Sequence, residues 1–433
     1  MEKIWQEAAA MQEELVAQRR DLHRHPESAW TEFRTASKVA SVLEALGYEV
    51  LCGAQVVKEE AMMGVPDEAV LEKAMKRALE EGAEPKWIEK MRGGKTGVVG
   101  IMKFAKPGNV VGLRFDMDSN EVDEATAETH RPVVENFRSL HEGLMHACGH
   151  DGHVTVGLAV AKLIAQHKDE MSGTVKIIFQ PGEEGVRGAK AMVASGIVDD
   201  VQYFLSGHIG FNANRDGMLA CMTDGFLATT KLDAYFTGKS SHAGAAPEEG
   251  RNALLAAAAA SIALHSISRH GKGVSRINVG VLDAGTGRNI LPDRAVIKLE
   301  TRGGNTEINE FMVSEARRMI KASADLYNVE VKIEEVGGAP SCSLNEDMGE
   351  EVYKIAVASD KFNEVVPKVN LGASEDCSYF MERVQQLGGK AVYMMYGSSL
   401  KAGHHNSSFD FNEDCLSKSV GLVTVLAKHF GEK

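Results

Sequence analysis

The chain is expected to fold as an α/β body with a mainly parallel sheet, interrupted by a compact α+β insert with a four-stranded antiparallel sheet and two helices. Three patterns carry this expectation. Helical periodicities alternate with short β-branched runs over the first half of the chain. Residues 226–336 break that rhythm with a β-α-β-β-α-β order. The alternation then resumes to the end, which makes the larger domain discontinuous, with segments 1–225 and 337–433. A chain of 433 residues is long enough for two hydrophobic cores.

Taken in order, MEKIWQEAAAMQEELVAQRRDLHRHPE reads as an amphipathic charged helix. A second helix is expected over 35–46. Residues 53–95 are charged, poor in strand formers and helical in pattern, and are read as an inserted helical hairpin. Within it Trp87, Ile88 and Met91 fall on one face at i, i+1, i+4. Strands follow at 98–102 and 110–114, then a helix at 153–166 and a strand at 174–179. In the insert, strands are expected at 230–237, 277–283, 295–301 and 329–335, with helices at 252–268 and 307–326. The run ALLAAAAASIA, 253–263, is rich in small residues and is read as core, in a helix lying close on a sheet.

Composition excludes several function classes. The formal charge is −13, from 48 basic and 61 acidic residues, with no Lys/Arg-rich run, so no nucleic-acid partner is expected. The N-terminus lacks the basic stretch and apolar core of a signal peptide, and no window approaches the roughly 18 apolar residues of a membrane span. Neither export nor a membrane is expected. The six cysteines have no framework spacing and are expected to be reduced, which fits a cytoplasmic protein.

The strongest chemical signal is MHACGHDGH, 145–153, which packs Cys148, His150, Asp151 and His153 beside a helix start. Cys-x-His sets a thiolate and an imidazole two positions apart, within reach of one metal ion. In IIFQPGEEG, a β-branched run ends in Pro-Gly, and Glu183 and Glu184 stand at its exit, where α/β sheets build their sites. Adjacent carboxylates repel unless a cation lies close. His208 ends an apolar segment, and His404 and His405 fall in a loop near the C-terminus. One thiolate, three imidazoles and two carboxylates suffice for two metal ions, with a carboxylate left for proton transfer.

These motifs occur in a specific order. RRDLHRHPE, LRFDMD, MHACGHDGH, IIFQPGEEG and GASEDCSYF span nearly the whole chain, and together they resemble the M20 family of metallopeptidases, in its amidohydrolase branch of aminoacylases, hippurate hydrolases and auxin-conjugate hydrolases. The resemblance implies two divalent ions per subunit, Mn2+ or Zn2+, held by Cys148, His150, Glu184, His208 and a C-terminal histidine. The family's ligand usually stands four residues before the aromatic of its F-D motif. With Phe409 there, His405 is favoured and His404 is the alternative. Glu183 matches the general base. The 226–336 insert resembles the family's dimerisation or lid domain, in which the residue matching His242 reaches the partner's site and steadies the oxyanion. Asn289 and Arg302 match positions associated with the substrate carboxylate and the tetrahedral intermediate.

Within the branch, the 53–95 segment with MGVPDE and the following GGKTGVVG resemble the hydrolases of p-aminobenzoyl-glutamate, and the resemblance implies hydrolysis of that compound or a related N-acyl amino acid. The alternatives are a general aminoacylase of the hippurate type and, from another class, a non-catalytic partner subunit. The resemblance implies a homodimer or a heterodimer with a homologous B subunit. Three departures stand out: DMDSNEV lacks the branch's usual proline, Cys377 replaces an aromatic, and HHNSS replaces HHP.

Overall fold

The computed structural model describes residues 1–433. Twelve strands follow one another along the chain. They begin with β1 (Glu49–Cys52), β2 (Val98–Lys103), β3 (Lys106–Asp116), β4 (Ser172–Gln180), β5 (Tyr203–Ile209) and β6 (Met218–Asp224). After these come β7 (Ala228–Thr237), β8 (Ser275–Ala284), β9 (Arg294–Gly303), β10 (Glu330–Ala339), β11 (Glu364–Asn370) and β12 (Lys390–Tyr396). The chain separates into two compact units, one of residues 1–224, 342–371 and 376–433, the other of residues 225–341 and 372–375.

The first unit is built on an eight-stranded sheet in the order β1-β2-β4-β3-β5-β12-β6-β11. The pairs β3–β4, β3–β5, β5–β12 and β6–β11 are parallel. The pairs β1–β2, β2–β4 and β6–β12 are antiparallel, so the sheet is mixed, with its parallel strands at the centre. Those central strands read as unbroken apolar runs because both of their faces are covered. The helix His150–Gln166 is buried along most of its length. It comes close to the sheet at Gly157, where a Cβ would meet the rings of Phe115 and Phe179 at 2.7 and 2.8 Å. Its start, near the C-terminal ends of β3, β4 and β5, marks where an α/β sheet presents chemistry.

Residues 53–95 contain the helix Glu68–Glu80 and the short helix Pro85–Ile88, which opens on proline at its first turn. Trp87, Ile88 and Met91 are buried in the core of this unit. The Trp87 indole N–H donates to Ser41 Oγ at 2.9 Å, tying the segment to the helix Phe33–Ala45. No helix is long and apolar enough to cross a membrane.

The second unit is a four-stranded antiparallel sheet in the order β10-β7-β9-β8. The helices Ala253–His265 and Thr306–Leu326 pack on it, each capped by an asparagine that accepts the N–H of the third helical residue. In the longer helix Ile308, Met312, Ala316, Ile320 and Ala324 recur every fourth position and are buried. The Ala-rich helix differs from the expectation of core throughout. Ala253, Ala256, Ala257, Ala260 and Leu264 are buried, whereas Leu255 and Ile262 are exposed, Ile262 at 75%. A single sheet covers only one side of a helix, and composition alone does not divide the sides of an all-apolar run.

Candidate active site

Four segments of the first unit converge beyond the central strand ends. After β3, Asn120 exchanges backbone hydrogen bonds with Met145, so the proline-free DMDSNEV stretch is held by pairing with the loop that carries Cys148. Gly149, at φ +90°, provides the left-handed residue that lets the helix begin at His150 rather than at 153 as its apolar pattern suggests. After β4, Gly182 at φ +60° turns the chain into Glu183 and Glu184. The Asp118 carboxylate accepts the N–H groups of both glutamates, at 3.0 and 2.8 Å. His208 lies within β5 near its C-terminal end. The His405 N–H donates to the Ala147 carbonyl at 2.8 Å, docking the C-terminal loop on the Cys148 segment, and His405 itself sits at φ +63°. Such a conformation is costly for a residue with a Cβ and is found where surrounding structure enforces it.

The side chains form overlapping sets whose ligand-type atoms lie within 4.8 Å of one another: His150–Glu183–Glu184, Cys148–Glu184–His405, Cys148–His208–His404 and His150–His153–His208. Cys148 Sγ is 3.4 Å from His208 Nε2, and His405 Nε2 is 3.3 Å from Glu184 Oε1. The ring hydrogen bonds orient the histidines. His150 Nδ1 donates to the Asp118 carbonyl at 2.8 Å, and His208 Nδ1 donates to the Ile209 carbonyl at 2.8 Å, so each turns Nε2 into the cluster. His150 Nε2 is buried with no hydrogen-bond partner, 3.9 Å from both Asp116 Oδ1 and Glu183 Oε2. A buried nitrogen without a hydrogen-bond partner, facing two carboxylates, is the position a divalent cation would satisfy. The donor set of sulfur, imidazole and carboxylate fits such ions.

The electrostatics agree with a site shaped for positive charge. Burial alone would lower the His150 pKa, yet Asp116, Asp118 and Glu184 raise it to about 10. Glu184 is drawn down to about 2, because His405 and His150 outweigh its burial. Burial and neighbouring imidazoles hold His208 well below its ordinary value, and burial takes His404 to about 4, so both keep a neutral ring. His404 Nε2 donates to the Ile209 carbonyl at 3.1 Å, which leaves Nδ1 as its free lone pair. The structure therefore brings together Cys148, His150, Glu183, Glu184, His208, His404 and His405. His405 meets Glu184 and Cys148, and His404 meets Cys148 and His208.

Sequence reasoning gave no role to the groups that hold this set. His153 has both nitrogens engaged, Nδ1 with Asp116 at 2.5 Å and Nε2 accepting the Ile209 N–H at 3.0 Å, so it braces the end of β5 and has no lone pair to offer. Asp151 is turned away onto Arg19 and His23, at 2.8 Å each. Arg19 also reaches Asp410 at 3.1 Å and Glu413 at 3.3 Å, which links the His150 segment to the chain just beyond His405. All of these groups are buried. Ion pairs of this depth cost desolvation and hold only while every member is satisfied. The signal for them lay in RRDLHRHPE and LRFDMD, but their partners are distant in sequence and spacing does not reveal them.

The remaining predicted residues lie in the second unit. His242 is exposed, and its Nδ1 accepts the N–H groups of Gly244 and Ala245, each at 3.1 Å, which leaves the proton on Nε2 as a donor. The loop carrying it pairs with the loop carrying Asn289: His242 bridges Ile290, and the Ala243 N–H donates to the Asn289 carbonyl at 3.0 Å. Arg302 stands apart on β9, where its guanidinium meets Glu300 at 2.9 and 3.3 Å.

Known proteins match this arrangement over its full length. The model of peptidase family M20/M25/M40 matches residues 112–429. The indole-3-acetyl-aspartic acid hydrolase of Enterobacter agglomerans is 46% identical, over 96% of each chain. One of the chains of the Escherichia coli p-aminobenzoyl-glutamate hydrolase is 44% identical, over 99% of each. Among solved structures, the aminobenzoyl-glutamate utilization protein from Klebsiella pneumoniae superposes with a TM-score of 0.84 at 37% identity, covering 98% of this chain and 97% of that one. The donor cluster at the strand ends, the inserted antiparallel unit and these matches together make the chain a member of peptidase family M20/M25/M40, a metallohydrolase that acts on amide bonds.

Proposed function

We propose that this enzyme hydrolyses the amide bond of p-aminobenzoyl-glutamate or a closely related N-acyl amino acid. The observation that carries the reading is the His150 Nε2, buried without a hydrogen-bond partner among Glu183, Glu184 and His208 at the ends of the central strands. The two relatives named above lend the substrate class, since each is named for an acyl group joined to an acidic amino acid. Residues 1–225 and 337–433 form the catalytic domain in this reading, and 226–336 form the dimerisation and lid domain.

Cys148, His150, Glu184, His208 and His405 hold two divalent ions, Mn2+ or Zn2+, with His404 as the alternative C-terminal ligand. When bound, the ions supply positive charge that polarises the amide carbonyl and acidifies water. Glu183 takes the proton from the attacking water and returns it to the leaving nitrogen. His242, with its proton fixed on Nε2, donates to the carbonyl oxygen as negative charge develops there. Asn289 and Arg302 hold the substrate's carboxylate and the tetrahedral intermediate. The enzyme acts in the cytoplasm as a homodimer. Support for self-association lies in the second unit, where β8 is a sheet edge and Val281, Leu282, Leu255 and Ile262 are exposed apolar side chains. A heterodimer with a homologous B subunit is the alternative, because the Escherichia coli relative is named as one of the subunits of its hydrolase.

The test is turnover by the purified protein of p-aminobenzoyl-glutamate, hippurate and N-acetyl amino acids, with and without added divalent metal. Metal-dependent release of p-aminobenzoate is expected to exceed the other activities. A preference for hippurate or acetyl substrates would favour a general aminoacylase, and no turnover under any condition would favour a non-catalytic supporting chain. A second expectation concerns the thiolate. Cys148→Ser is expected to lower metal content after dialysis about tenfold or more, because a serine hydroxyl ionises poorly and is a harder ligand. Native metal content in that variant would remove Cys148 from the ligand set.

A further inference from the structure

The turn that carries Glu183 and Glu184 is gripped by two buried carboxylates. Successive N–H groups at a tight turn form a concavity suited to an anion. Asp118 takes the N–H groups of Glu183 and Glu184, and Glu32 Oε1 takes the preceding one, of Gly182, at 2.8 Å. Glu32 is fully buried and belongs to none of the metal-ligand sets. Its other oxygen, Oε2, accepts the hydroxyl of Thr96 at 2.6 Å, the residue that follows directly on the 53–95 segment.

The chain before Glu32 is shaped to bring it there. Ser28 bridges Ser119, and the Ser119 N–H donates to the Glu27 carbonyl at 2.8 Å, so this stretch runs beside the residue that follows Asp118. Trp30 is fully buried and stands at φ +67°, a left-handed conformation that a bulky side chain adopts only where its surroundings enforce it. Its indole N–H donates to the Met63 carbonyl at 2.8 Å. Its ring lies against the turn itself: a Cβ at Gly182 would stand 3.6 Å from Trp30 Cε2, and one at Gly94 would meet Trp30 Cβ at 3.1 Å. The 53–95 segment therefore reaches the glutamate turn by two routes, Met63 through Trp30 and the adjoining Thr96 through Glu32.

We infer that Glu32 is a positioning residue for the general base: by holding the Gly182 N–H, with Thr96 fixing its carboxyl group, it sets the angle at which the Glu183 carboxylate enters the cluster. This role rests on the amidohydrolase reading above and gives the 53–95 segment a part in it, as the brace behind the turn. Removing the side chain leaves the buried Gly182 N–H without an acceptor, and the turn must shift to find one. Asp118 still holds the next two N–H groups, so Glu184 keeps its place while the chain entering Glu183 is free to rotate. Glutamine preserves both contacts. Its carbonyl accepts the Gly182 N–H, and its amide donates to Thr96, whose hydroxyl turns to the Gly94 carbonyl at 3.4 Å. Burial and the neighbouring Asp118 push the Glu32 pKa up to about 8, so glutamine matches its neutral form as well as its shape.

The test compares the metal-loaded native protein with Glu32→Ala, Glu32→Gln, Thr96→Val and the Glu32→Ala/Thr96→Val double variant. For each, kcat, KM and bound metal are measured on p-aminobenzoyl-glutamate, or on another N-acyl amino acid if that compound is not cleaved, beside hydrogen exchange over residues 182–188. Glu32→Ala is expected to lower kcat about thirtyfold at native metal content, with KM within about threefold, since a base displaced by a fraction of an ångström loses its alignment. Exchange over the turn should quicken in that variant. Glu32→Gln should stay within about threefold of native kcat and keep native exchange. Thr96→Val removes one hydrogen bond and should cost about fivefold. The double variant should be no slower than Glu32→Ala, because both changes act through one contact. A purely structural part for Glu32 would lower Tm and yield but leave kcat per bound metal unchanged, and that result overturns the role. So does a Glu32→Gln form as slow as the alanine form, or a double variant in which the two losses multiply. If Glu32→Ala does not fold, Thr96→Val decides, a fall in kcat supporting the role and native kcat overturning it. Each of these failures leaves the amidohydrolase reading standing. If the native protein cleaves no N-acyl amino acid, both fall.

Discussion

Glu183→Ala is expected to lower kcat by about a thousandfold, the scale of a lost general base, with metal content equal to that of the native protein. Two features of the site separate this side chain from the metal-holding function assigned to its neighbour. The main chain at Glu183 and Glu184 is pinned by Asp118, which accepts both N–H groups, so removing the Glu183 carboxylate leaves the Glu184 carboxylate where it is. Glu184 is the member that shares a set with Cys148 and His405, whereas Glu183 shares one set with His150 and Glu184 and another with Glu375 and Asp376. Metal analysis after dialysis, run beside steady-state kinetics, decides between the roles. Loss of metal together with activity would make Glu183 a ligand and leave the proton transfer without an owner. Glu183→Gln is the companion variant, since it keeps the volume and polarity of the side chain and lacks only the basicity. It is expected to be as inactive as the alanine form, and substantial turnover by the glutamine form would exclude Glu183 as the base.

The features legible in the sequence are those carried by local pattern. Strand runs such as 98–102 and 174–179 fall inside β2 and β4 because a strand buried on both faces is an unbroken apolar stretch. The long helix Thr306–Leu326 was legible from its every-fourth-residue stripe. Strand direction was not legible, because residue pattern does not encode which neighbour a strand will find; hence the antiparallel contacts of β2 with β4 and of β12 with β6 in a sheet expected to be mainly parallel. At the site, residue types announced a metal centre, but His150 and His153 look alike in HDGH. Only the fold separates them, by turning one Nε2 into the cluster and occupying both nitrogens of the other. The pinning of Glu183 and Glu184 by Asp118, more than sixty positions away, is a tertiary fact with no local signature. Spacing to Phe409 favours His405 over His404, but spacing carries no sign that the two approach different pairs of partners, His405 meeting Cys148 and Glu184 and His404 meeting Cys148 and His208.

His242→Ala is expected to lower kcat by about a hundredfold, with a smaller change in KM, because a donor to the developing oxyanion acts mainly on the transition state. The fold should tolerate the change. His242 is exposed, and the two N–H groups it releases, of Gly244 and Ala245, are exposed as well and can turn to water. In the proposed homodimer this histidine completes the partner's site, and that arrangement has a consequence that a residue acting within its own chain would lack. Glu183→Ala protomers keep His242 and lack the base; His242→Ala protomers keep the base and lack the donor. A mixed dimer then contains one site with neither group and one site with both. Random exchange of equal amounts makes half of the dimers mixed, so activity should return to about a quarter of the native level. Exchange is monitored independently, with a fluorophore on each variant. If the labels redistribute and activity remains at the level of the separate mutants, His242 does not act across the dimer. If His242→Ala alone retains native kcat, it does not act on the oxyanion at all.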